Sequence, residues 1–124
     1  MKEYMQLFKE ISKSAETIAE SVLEMNMKKG ADEDTIKRSQ DMRNTFADLT
    51  DKISSDNKLT IADIRTLNIE AIIVAMQIEK KKNGLETVLS EYRTKVIPNL
   101  TDIIRQSKSD DNKIEELLNE KFEN

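Results

Sequence analysis

The sequence predicts an all-α fold, an antiparallel bundle of four long helices closed by a short C-terminal helix. Three observations predict it. Two Gly and one Pro in 124 residues are too few breakers for a turn-rich sheet protein. Aromatics are 4% of the chain, which disfavours strands that rely on aromatic and β-branched side chains. Ile, Leu, Val and Met recur at three- and four-residue spacing, the period of a helix face and not of a strand.

The first helix is expected from about Lys2 to Lys29. Tyr4, Phe8, Ile11, Ala15, Ile18, Val22 and Met25 follow a 4-3-4-3-4-3 spacing, a heptad seam. Leu7, Ala19 and Leu23 widen it. Lys28 and Lys29 suit the negative end of the helix dipole, and Gly30 is placed to terminate it.

Asp32 or Asp34 is expected to cap a second helix reaching about Ile53. Met42, Phe46, Leu49 and Ile53 form its stripe, while Thr35 and Ser39 occupy the same stripe upstream. The run from Ser54 to Lys58 reads as a turn. Thr60 and Asp63 start a third helix expected to end near Lys82, before Asn83-Gly84.

The fourth helix carries Leu85, Val88, Leu89, Tyr92, Val96, Leu100, Ile103 and Ile104, with Pro98 inside the pattern. Pro98 lacks a backbone donor and crowds the carbonyl four residues back. A kink is expected near Lys95 to Ile97, since the periodicity resumes afterwards. Ser107 to Asn112 is polar. Ser109 or Asp110 would cap a fifth helix with Ile114, Leu117, Leu118 and Phe122 on one face. Residues 1–106 thus read as the bundle domain. Residues 107–124 read as a polar linker and amphipathic helix, either part of that domain or a tail that docks on a partner.

The third helix carries an excess of apolar surface. Ile64, Leu67, Ala71, Val74 and Ile78 form one face, and Ile69, Ile72, Ile73 and Met76 form an adjoining one. Asp63, Thr66, Glu70 and Gln77 are left as a narrow polar strip. An arc this wide exceeds the stripe needed to pack on one side. It implies a homodimer or a bound protein over Ile69, Ile73 and Met76, unless the chain itself covers the face. Asn68 lies inside the arc and is the candidate specificity element, because a buried Asn can fix register in helical assemblies. That role would make Asn68→Leu more stable but mixed in oligomer state. The plainer role is an amide that satisfies a nearby backbone group.

Several chemistries are disfavoured. The chain contains no His and no Cys, the commonest general base and metal ligand and the thiolate nucleophile respectively. No cofactor, no metal site and no catalytic residues are expected. Glu16, Glu20 and Glu24 share a face, as a magnesium-dependent nucleotide hydrolase would need, but the seam turns them outward. Asp32-Glu33-Asp34 and Asp110-Asp111 lack the glycine and terminal Glu of a calcium loop. Asn83-Gly84 is no phosphate loop.

The net charge of −4 comes from mixed cations and anions, which makes nucleic acid an unlikely partner. A basic surface assembled from Lys37, Arg38 and Arg43, or from Lys80 to Lys82, is the alternative to a protein-interaction role. Ala71 to Met76 is the longest apolar run, too short for a bilayer. The opening Met1-Lys2-Glu3-Tyr4 does not resemble a secretory leader. The expectation is therefore a cytoplasmic, non-catalytic helical interaction or regulatory protein of adaptor, inhibitor or immunity type, self-associating as a dimer. Frequent Lys, Asn and Ile suit an AT-rich bacterial or phage genome.

Overall fold

A computed structural model describes residues 2–81 and 84–123. Among them every regular element is helical, and there is no strand. The elements are α1 (Glu3–Lys28), α2 (Glu33–Ser54), α3 (Ile61–Lys81), α4 (Glu86–Glu91), a π turn (Tyr92–Val96), α5 (Ile97–Ser107), a 3₁₀ turn (Asp111–Lys113) and α6 (Ile114–Phe122). The expected end of the third helix at Lys82-Asn83 lies outside the described residues.

The caps follow from side-chain chemistry. Asp32 accepts from the Thr35 N–H at 2.7 Å and starts α2. Thr60 and Asp63 form a reciprocal box: the Asp63 N–H donates to Thr60 Oγ1 at 3.2 Å, and the Thr60 N–H donates to Asp63 Oδ2 at 2.8 Å. Asp111 reaches from the other end of the chain to accept the Ile61 N–H at 2.8 Å. Three of the donors left over at the start of α3 are thereby satisfied.

At the end of α1 the Ala31 N–H donates to the Asn26 carbonyl and the Gly30 N–H to the Met27 carbonyl. This is a Schellman motif, and Gly30 takes its left-handed position at φ 70°. Asp56 fills the equivalent place after α2 at φ 55°.

Cross-helix bonds set the directions. Ser12 meets Thr50, and Asn26 meets Ser39, so α1 and α2 are antiparallel. Asn68 meets Thr101, and Glu79 pairs with Arg93, so α3 and the α4–α5 run are antiparallel. α1 packs between α2 and α3, and α3 between α1 and α5. The core is built from Phe8, Ile11, Ile53, Ile64, Leu67, Val96, Leu100, Ile103 and Ile114, all at most 1% exposed.

Two expectations are corrected, and a third is made more specific. The heptad seam of α1 holds only to Ala15. Beyond it Ala19, Leu23 and Asn26 are buried, Ile18 and Val22 are half-buried, and Met25 is 57% exposed. A straight helix of 3.6 residues per turn drifts about 20° per heptad from a 3.5 repeat, so the buried face rotates off the seam.

The disturbance expected at Pro98 takes the form of a π turn. The Ile97 N–H bonds to the Tyr92 carbonyl, five residues back. This wider turn sits just before the proline that would crowd the preceding turn, and the run from Glu86 to Ser107 continues through it.

The polar strip of α3 is not all solvated, because Glu70 is fully buried.

The C-terminal helix docks on this chain. Ile114, Leu117 and Leu118 are buried. Phe122 stacks edge-on against Phe8 with centroids 5.2 Å apart, and lies 6.3 Å from Tyr4.

Candidate functional site

Packing uses one side of α3. Ile64, Leu67, Glu70, Ala71, Val74 and Ala75 are buried. About half a turn round the helix, Ala62, Arg65, Ile69, Ile72, Met76 and Glu79 are all exposed. Their spacing is 3-4-3-4-3, so α3 carries a second heptad seam facing away from the bundle. Ile69 is 54% exposed, Ile72 40% and Met76 62%. The apolar centre of the seam is bounded by a cation, Arg65, and an anion, Glu79.

The four residues singled out from sequence are placed differently by the fold. Ile69 and Met76 lie on the open seam. Ile73 is half-buried at its edge, where it joins Ile18 of α1, Met76, Gln77, Glu79 and Lys80 in a shallow groove of about 580 Å³. Asn68 is half-buried and turns from the seam toward α5. Its Nδ2 donates to Thr101 Oγ1 at 3.4 Å, and its buried Oδ1 has no hydrogen-bond partner among the described residues.

Sequence reasoning missed the solvent-facing position of Ile72 and the charges at the two ends of the seam. The spacing 65-69-72-76-79 was the available signal. It is masked in a linear reading by Ile73 and Ile78, which fill the gaps between the two seams.

Beneath α3 lies a buried polar junction. Ser12 Oγ donates to Glu70 Oε2 at 2.8 Å, lies 2.9 Å from Thr50 Oγ1 and 3.4 Å from the Phe46 carbonyl. Thr50 donates to the same carbonyl at 3.0 Å. Glu70 Oε1 has no hydrogen-bond partner among the described residues. Burial pushes the Glu70 carboxyl up to about 8; the Ser12 bond opposes this and the negative charge of Glu16 adds to it. At neutral pH the group is mostly neutral, which removes most of the cost of burying a charge.

The other candidates disperse. Glu20 and Glu24 are exposed and Glu16 is half-buried. Among the described residues no three His, Cys, Asp or Glu side chains gather to hold a metal ion. Arg43 lies 3.9 Å from Glu20, and Lys37 and Arg38 are exposed. Lys80 and Lys81 are exposed, and Lys82 lies outside the described residues. A second cleft, of about 660 Å³, opens between Lys2, Tyr4, the Asp56–Thr60 connection and the start of α6. Its lining mixes both charges with apolar side chains. Among the described residues no helix is long and apolar enough to cross a membrane.

No protein family, curated protein or solved structure matches this chain.

Proposed function

We propose that this chain is a non-catalytic, cytoplasmic protein-interaction module of regulatory type that works by self-association through the outer face of α3. One observation carries the reading: Ile69, Ile72 and Met76 are exposed on consecutive turns of the most central helix of the bundle. Single exposed apolar side chains are ordinary, but a contiguous row of them is characteristic of an interface. Removing such a row from water supplies the favourable term in most protein association.

The composition supports the non-catalytic part. Without His or Cys, the usual nucleophile–base pairs cannot be assembled. The adaptor, inhibitor and immunity classes all fit a small bundle that presents one helix face, and the identity of a further protein partner would decide among them.

Native mass spectrometry of the protein purified gently from its source tests the proposal. A dimer, alone or with a stoichiometric second protein, is the expected result. A bare monomer that exchanges with no other protein overturns it.

A further inference from the structure

Resting on that reading, we infer that the occupant of the α3 seam is a second copy of this chain, arranged antiparallel about a two-fold axis at Ile72. The argument is the self-complementarity of the seam. Arg65 and Glu79 stand seven residues to either side of Ile72, and all three are exposed on one side of the helix. A dyad through Ile72 turns the Arg65 end of one copy onto the Glu79 end of the other. The same rotation brings Ile72 against itself and lays Ile69 of one copy within one residue's rise, about 1.5 Å, of Met76 of the other. Both ends then carry opposite charges across the interface, and the apolar residues fill its middle.

The parallel alternative stacks Arg65 on Arg65 and Glu79 on Glu79. Like charges held opposite each other disfavour it, and this kind of patterning sets orientation in helical pairs. Isologous contact about a two-fold axis is also the commonest arrangement for a soluble homo-oligomer. Glu79 is already paired with Arg93 of its own chain. The incoming Arg65 therefore joins an existing ion pair and makes a three-membered charge cluster at each end. Asn68 sits outside this contact, because its amide is turned to Thr101.

The geometry makes a positional prediction. At 1.5 Å of rise per residue, Arg65 and Glu79 are about 21 Å apart along the helix. In the antiparallel dimer each is therefore about that far from its own counterpart and beside the other's. Only position 72 faces itself. The chain has no cysteine, so any introduced thiol is the sole one, and all three positions are exposed enough to take the change.

The test is disulfide cross-linking of Ile72→Cys, Arg65→Cys and Glu79→Cys under mild oxidation, with the wild-type mass measured alongside. A covalent dimer is expected from Ile72→Cys alone and from Arg65→Cys mixed with Glu79→Cys. Neither of the latter is expected to link to itself, since disulfide formation needs Cα atoms within about 7 Å. Self-linking of Arg65→Cys and Glu79→Cys as complete as that of Ile72→Cys means a parallel pair and overturns the inference. A wild-type dimer whose Ile72→Cys form does not link also overturns it, while leaving the interaction reading in place. A wild type that stays monomeric overturns both.

Discussion

Ser12 of α1 donates a 2.8 Å hydrogen bond to the carboxyl of Glu70 of α3, and both side chains are completely shielded from solvent. Glu70 thus sits at the junction of α1, α2 and α3, on the side of α3 opposite the exposed seam.

This placement makes stability depend on pH through one group. The folded chain holds the Glu70 proton up to about pH 8, and the unfolded chain releases it near 4.5. Unfolding between those values releases a proton, so rising pH favours the unfolded state there. The contribution of Glu70 is fully present below about 4.5, falls across the window, and levels above about 8. The slope approaches about 1.4 kcal/mol per pH unit. Glu70→Gln keeps an acceptor for Ser12 and has no proton to lose. Urea melts across the window should show the wild type losing stability relative to Glu70→Gln as pH rises. Parallel curves would mean the carboxyl is charged where it lies.

The pair at the other end of α1 gives a second prediction. Asn26 Nδ2 donates to Ser39 Oγ at 2.7 Å, and Ser39 donates to the Thr35 carbonyl. Ser39→Ala leaves the buried Asn26 amide without its partner, at a cost of about 1–3 kcal/mol. Asn26→Leu combined with Ser39→Ala removes both partners and should recover most of that loss. A double-mutant cycle by chemical denaturation measures the coupling. Additive losses would contradict it.

Asp56 holds the left-handed position after α2 at φ 55°. Gly adopts that conformation without the penalty of a Cβ. Asp56→Gly should raise stability by about 0.5–1 kcal/mol and leave the far-ultraviolet spectrum unchanged. Thermal denaturation is the measurement, and a lowered midpoint would show that the Asp side chain itself holds the turn.

The aromatic cluster of Tyr4, Phe8 and Phe122 ties the two ends of the described chain together. Phe122 is half-buried, so Phe122→Ala should cost about 1–3 kcal/mol, less than deletion of a fully buried ring. Hydrogen exchange should rise first along α6. Unchanged protection there would mean that α6 is held by Ile114, Leu117 and Leu118 alone.

Most of the fold was legible because its signals are local. Asp32, Thr60, Asp63 and Gly30 are caps whose chemistry acts within one turn, and each helix start or end they mark is found in the structure. Pro98 announced a disturbance, but not its form as a π turn, because that depends on how Tyr92 and Val96 meet the core. Glu70 was not legible. A lone carboxylate on an apolar helix reads as solvated, and its partner Ser12 comes from 58 residues away in sequence, with Thr50 of α2 bonded in turn to Ser12. The excess apolar face was visible in the sequence. Which of its residues stay open was not, because Ile73 differs from Ile72 only in packing beside Ile18. Asn68 lay inside the same arc, and only the position of Thr101 shows which way its amide turns.

The central claim is that the outer seam of α3 joins two copies of this chain, and sedimentation equilibrium of the wild type beside Ile72→Glu tests it most directly. Ile72 is exposed, so a carboxylate there leaves the bundle intact while placing like charges together at the dyad. The account predicts a wild-type mass that rises toward the dimer with concentration, and an Ile72→Glu variant that stays monomeric with unchanged helicity. A wild type that is monomeric at every concentration, or a variant that assembles as the wild type does, would contradict it.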